Sequence, residues 1–140
     1  MGKRIVDLEE RSETGTFGLV GGGKVHLRLM NTLDLRGMKA ACVKKVAEYP
    51  LLKDPATGKE RHQRFEAEEF DAEKFQRMGW DRNIVGWEEL YDKNEQPIPV
   101  TMENKARLME MVSAFAEAVA AGLKALKEAE KERTEQAEKN

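Results

Sequence analysis

Apolar residues recur along this chain in two rhythms, and each predicts an element. Val25, Leu27 and Leu29 alternate with His26, Arg28 and Met30, a period of two that puts the first three on the buried face of a strand and His26 and Arg28 on the other. Phe17 to Val20 is a short apolar run ahead of Gly21, Gly22 and Gly23, which can take positive φ and reverse the chain, so the two runs read as a β-hairpin. Behind the Asn31-Thr32 cap, Leu35, Met38, Ala41, Cys42 and Val46 recur at helical spacing. They predict a helix over residues 33–48, ended by Tyr49-Pro50, with Gly37 marking a close packing contact.

Periodicity is lost from Leu51 to Glu69, where Asp54-Pro55-Ala56-Thr57-Gly58 forms a turn and a polar run follows, so this stretch reads as a long mobile loop. Asp71 caps a helix carrying Phe75, Met78, Ile84 and Val85, with the Trp80 and Trp87 indoles adding apolar area and Gly79 and Gly86 interrupting it. Tyr91 to Val100 is a turn and then an extended segment, because Pro97 and Pro99 hold the residues before them extended. Thr101 caps the last helix, in which Leu108, Met111, Val112, Phe115, Val119, Leu123 and Leu126 fall on one apolar face. Residues 127–140 carry no large hydrophobe, and like-charged pairs such as Glu128–Glu132 and Lys127–Lys131 predict a fraying helical extension.

The expected architecture is α+β, mostly α: an N-terminal β-hairpin packed on a small helical bundle with a long amphipathic C-terminal helix. Residues 1–16, with Ile5, Val6 and Leu8 as their only large apolar groups, are expected to form a flexible arm. Residues 17–126 form the globular domain and 127–140 a charged extension. At 140 residues, a second domain would leave each half a marginal core.

Charge refines this picture. Charged residues make up 36% of the chain, yet the formal net charge is only −2, which gives no pull toward nucleic acid or an anionic membrane. The distribution is uneven: residues 1–64 carry 13 basic and 8 acidic side chains, residues 65–140 carry 11 and 18. Such poles either attract each other within the fold or face a partner of opposite sign. Cys42 is the only cysteine, so an intrachain disulfide is excluded and a reducing cytoplasm is the expected compartment. The first residues lack a signal-peptide core, and no stretch reaches the roughly 20 apolar residues that cross a bilayer.

Candidate chemistry is sparse. Gly18, Gly23 and Lys24 match the spacing of a phosphate-binding loop, but Val25 stands where a Ser or Thr would hold magnesium, and a strand pattern follows where a helix is required. His26 and His62 are the only imidazoles, too few for a three-histidine zinc site. The acidic cluster Glu66, Glu68, Glu69, Asp71 and Glu73 lacks the alternating ligands and central glycine of a calcium loop. Ser12 and Ser113 sit in the arm and the last helix, Cys42 lies on an apolar stripe, and the basic residues are not interleaved with aromatics for base stacking. No enzyme, cofactor, metal or nucleic-acid site is expected.

One run carries more specific information: Ile-Val-Gly-Trp-Glu-Glu-Leu from Ile84, Tyr-Asp-Lys-Asn-Glu-Gln-Pro-Ile-Pro-Val-Thr from Tyr91, then Met-Glu-Asn-Lys-Ala-Arg-Leu-Met from Met102. It resembles the tail assembly chaperones of long-tailed bacteriophages, in which a Trp-centred helix end, an acidic turn, a Pro-x-Pro-like stretch, a Thr-x-Glu-Asn helix start and a polar C-terminus such as Lys139-Asn140 follow in order. The matching positions are Trp87, Pro97, Thr101, Glu103 and Asn104. Two departures are Lys93-Asn94-Glu95 in place of the usual Asp-Gly turn and the polar stretch 51–64, which looks like an insertion. The resemblance implies a non-enzymatic chaperone that binds tape-measure and tail-tube proteins during virion assembly, without cofactor, possible as a homo-oligomer. Trp87, Pro97, Thr101, Glu103 and Asn104, together with Met111 and Phe115 on the long helix's apolar face, are the candidate protein-binding residues. A small structural virion or neck protein and a phage-encoded host-directed inhibitor are the alternatives, the second prompted by the acidic C-terminal half.

Overall fold

The computed structural model describes residues 13–49, 51–62 and 64–139. Residues 1–12 of the expected arm, Pro50, Gln63 and Asn140 lie outside the described residues. The chain forms a mixed α+β fold. In order it runs β1 (Thr14–Gly18), β2 (Lys24–Arg28), α1 (Thr32–Cys42), β3 (Val43–Glu48), β4 (Leu51–Lys53), β5 (Glu60–His62), β6 (Phe65–Phe70), α2 (Ala72–Asn83), β7 (Ile84–Glu88), α3 (Met102–Met111) and α4 (Ser113–Lys139).

The glycine-turned hairpin forms as the alternation predicts, with Phe17 opposite Val25 and Gly21, Gly22 and Gly23 all at positive φ. Its first strand starts at Thr14, three residues ahead of the apolar run. Val25 and Leu27 are fully buried, and His26 and Arg28 are only half-buried. The strand reading replaces the helix reading at Ile84–Glu88: this segment adds to β2 as the third strand, in the order β1-β2-β7, with Val25 opposite Trp87. α4 lies across β1 and β2, and its Phe115, Val119 and Leu126 meet Val25, Leu27, Ile84 and Trp87 in the main core. Burial of each large aliphatic there contributes roughly 1.5–3 kcal/mol before chain entropy opposes it.

Beside this core, α1 and α2 pack through Met38, Cys42, Met78 and Gly79. The Cys42 thiol is 2% exposed and donates to the Met78 sulfur at 3.7 Å, the environment of a small buried hydrophobe. A Cβ on Gly79 would stand 3.5 Å from Met38, whereas one on Gly37 would meet nothing, so the close helix approach belongs to Gly79 and not to Gly37.

All three predicted caps form. The Asn31, Asp71 and Thr101 side chains accept from the amides of Asp34, Lys74 and Asn104. Asn31 and Asp34 make a reciprocal capping box, and Asp34 also takes the Arg28 guanidinium at 3.1 Å and lies 3.9 Å from Arg82. The Arg28 hydrogen bond holds the Asp34 carboxyl below the usual carboxylate range, against an opposing effect of burial, with the Asn31 amide and Arg82 assisting. A depressed folded-state pKa stabilises the fold fully above the unfolded value, about 3.9, and that contribution disappears as pH falls through the folded value. Urea unfolding of wild type and Asp34→Asn is expected to differ at neutral pH, with the gap closing as the pH is lowered below about 4. A gap that widens in acid would contradict this assignment.

Three further expectations are corrected. The helix expected over 33–48 ends at Cys42, whose carbonyl accepts from the Asp71 amide at 2.9 Å instead of continuing the helical ladder. The expected mobile loop is a β-hairpin: β3 pairs with β6 and β4 with β5, antiparallel. Val43 faces Phe70, Glu48 faces Phe65, Leu51 faces His62 and Lys53 faces Glu60, so both ladders keep one register. The Asp54 carboxylate accepts from the Ala56 amide in the turn, and Gly58 there takes φ 69°. Finally, the helix expected from Thr101 onward is two helices, separated at Val112, which is extended at φ −116° and ψ 94°. The second continues to Lys139 through the segment expected to fray, and Arg133 on it reaches Glu13 at 2.8 Å.

Candidate functional site

The site residues gather where the chain leaves β7 and enters α3. Asp92 organises the turn: its carboxylate accepts from the amides of Asn94 at 2.8 Å and Gln96 at 3.1 Å, while its own amide donates to the Gln96 carbonyl. Glu95 takes φ 59° in this turn, the left-handed conformation for which a glycine would be freer. Beyond the turn, Pro97 bridges Tyr91 and the Ile98 amide donates to Leu90, so the Pro97–Val100 stretch runs back alongside the chain that follows β7.

Two side chains then fix that stretch. The Trp87 indole N–H donates to the Ile98 carbonyl at 2.8 Å, and the Asn104 amide group donates to the Pro99 carbonyl at 2.9 Å. Trp87 is 8% exposed and meets Phe115, 3% exposed, edge-on with ring centroids 6.1 Å apart. Trp87 and Phe115 therefore brace this stretch from beneath, while the half-buried Asn104 and the exposed Thr101 hold it at the start of α3. Pro97 and Glu103 are exposed, Glu103 in the first turn of α3, where a carboxylate complements the helix N-terminus.

Met111 has a different place from the one its periodicity suggested. The break at Val112 turns it away from the core, leaving it 79% exposed, with Val112 itself 42% exposed. Around them runs a groove of about 850 Å³ lined by Asp92, Lys93, Ile98, Pro99, Asn104, Arg107, Leu108, Met111 and Val112. Arg107 and Met111 also border a second depression with Arg77, Met102, Glu103, Ala106 and Glu110. Leu108 and Val112 border a third, small one with Val20, Leu90 and Phe115. The result is an apolar strip, from Val20 past Val112 and Met111 to Met102, rimmed by charges of both signs.

Lys105 and Asp81 hold the platform in position and were not singled out in the sequence. The Lys105 side chain is 10% exposed, and its ammonium donates to the Asp81 carboxylate and carbonyl, each at 3.0 Å, tying α3 to α2. A pair 24 residues apart leaves no local pattern. Asp92 did carry a signal, since an Asp two residues before an Asn in a polar turn is an Asx-turn pattern.

Chemically, the arrangement offers contact area and few reactive groups. Lys24, the lysine of the phosphate-loop spacing, begins a strand. His26 bonds Thr16 at 2.8 Å on β2, and His62 bonds the Tyr49 carbonyl at 3.1 Å on β5. Among the described residues no group of three or more His, Cys, Asp or Glu stands close enough to hold a metal ion, and no helix is long and apolar enough to cross a membrane. No protein-family model, curated protein or solved structure matches the chain.

Proposed function

We propose that this protein is a non-enzymatic assembly chaperone of the phage tail type, working in the bacterial cytoplasm and binding tape-measure and tail-tube proteins through the groove at the α3–α4 break. The observation that carries the reading is the exposed apolar strip centred on Met111, built on the segment whose residues resemble that family. Met111 and Met102 suit varied apolar partners, since the unbranched thioether side chain repacks at low cost. The charged rim around Arg107, Asp92 and Glu110 suits an interface with a dry centre and wet edge.

The test is capture of the tape-measure and tail-tube proteins of the same phage by the purified full-length chain. Met111→Glu is expected to weaken capture by at least about tenfold, the scale of a central interface residue, with an unchanged urea midpoint because Met111 is already in water. Failure of the wild type to capture either protein, or equal capture by the variant, would count against the proposal.

A further inference from the structure

The β3–β6 ribbon has two open edges of opposite charge. β3 reads Val-Lys-Lys-Val-Ala-Glu and β6 reads Phe-Glu-Ala-Glu-Glu-Phe, with Lys44 opposite Glu69 and Lys45 opposite Glu68. These strands form a sheet of two, and apart from the half-buried Val46 and Ala67 their side chains are exposed, Val43 and Phe70 among them at 40% and 52%. Among the described residues no ion pair engages Lys44, Lys45, Glu68 or Glu69, whereas the neighbouring Glu66 is paired with Arg64.

The direction of the backbone groups follows from the register. The Asp71 amide donates inward to the Cys42 carbonyl at the root of the ribbon, and the Asp54 amide donates inward to the Lys59 carbonyl at its tip. In an antiparallel ladder inward-bonded pairs alternate with outward-facing ones. Val43, Lys45 and Ala47 therefore direct their amides and carbonyls away from β6, and Glu66, Glu68 and Phe70 direct theirs away from β3.

We propose that copies of this protein associate head to tail by strand addition, the outer edge of β3 in one copy pairing antiparallel with the outer edge of β6 in the next. The register already used inside the ribbon works again between copies: Lys45 meets Glu68 of the next copy, Lys44 meets Glu69, and Val43 packs beside Phe70. Symmetric edge pairing, β3 on β3 or β6 on β6, sets lysine against lysine or glutamate against glutamate, which opposes it. The complementarity thus selects a second copy, and selects the head-to-tail arrangement, which closes as a ring or continues as a filament. Neither edge is covered by a third strand, and the lysines and glutamates along them, which oppose a like-charged neighbour, are complementary to a head-to-tail one. None of the groove residues takes part, so this association stands or falls independently of partner capture.

The experiment measures the mass of the full-length chain in solution across a concentration series, for wild type and two variants. Wild type is expected to form oligomers that grow with concentration and weaken with salt. Glu68→Pro removes an outward amide while sparing the inward ladder, and is expected to remain monomeric where wild type is oligomeric. The fourfold exchange Lys44→Glu, Lys45→Glu, Glu68→Lys, Glu69→Lys preserves opposite charge within the ribbon. It is expected to self-associate like wild type but to be excluded from wild-type oligomers on mixing. A monomeric wild type, wild-type association of Glu68→Pro, or free mixing of the exchanged and wild-type chains would each overturn the proposal.

Discussion

Trp87→Ala is expected to destabilise the fold by about 3–5 kcal/mol, the loss typical of removing a buried indole, with far-UV circular dichroism in urea as the measurement. Three connections disappear at once. The ring leaves the main core, where it is 8% exposed; its edge-on contact with Phe115 is lost; and the Ile98 carbonyl loses the indole donor at 2.8 Å. Trp87→Phe separates these, because it retains an aromatic ring against Phe115 and deletes the donor, for an expected loss of about 1–2 kcal/mol. Set against a total stability of roughly 5–15 kcal/mol, the alanine change removes a large share, and the proline stretch that walls the groove loses its anchor to β7. A loss below about 1 kcal/mol for Trp87→Ala would mean that the brace is not part of the cooperative fold.

The second large effect is expected at Gly122. It is buried in α4, and a Cβ there would stand 2.7 Å from a Leu27 methyl and 2.9 Å from the Phe17 ring. Leu27 is 0% exposed at the centre of the sheet, so it has little room to give. Gly122→Ala sets this overlap, which in a packed core costs about 1–3 kcal/mol, against a gain of up to about 1 kcal/mol in helix propensity, and a modest net loss is expected. Gly122→Val adds two methyls to the same gap and is expected to cost about 2–3 kcal/mol through overpacking, read from the urea midpoint. If Gly122→Val were as stable as wild type, α4 could not approach the sheet as closely as it does here.

How much of this could be read along the chain depended on how far each cause reached. The glycine hairpin and the caps at Asn31, Asp71 and Thr101 were legible because the bonds that make them span only a few residues. Val43–Glu48 was misread as helix because Val46 satisfies the helical spacing from Cys42, while the evidence for a strand lies on Phe65–Phe70, whose Glu68 and Glu69 stand opposite Lys45 and Lys44. Ile84–Glu88 carried β-branched residues at its start, yet only the open edge of β2 makes it a strand. At the candidate site, the local motif drew attention to Trp87, Thr101 and Asn104, whose side chains bond the Ile98 carbonyl, the Asn104 amide and the Pro99 carbonyl. The exposure of Met111 was hidden, because an apolar stripe has the same spacing whether or not the helix that carries it is broken.

The uneven charge illustrates the same division. Its sign change near residue 64 is a property of composition alone, but pairing of β3 with β6 turns it into two oppositely charged edges of one ribbon. What the sequence determined by itself was therefore the local part: where the chain reverses, where helices begin, and which residues favour burial. Tertiary structure decided which ambiguous segments became strands, where α3 and α4 separate, and which apolar side chains face water. A cap completes its hydrogen bonds within one helical turn, whereas a strand completes its own only when a distant segment arrives in register.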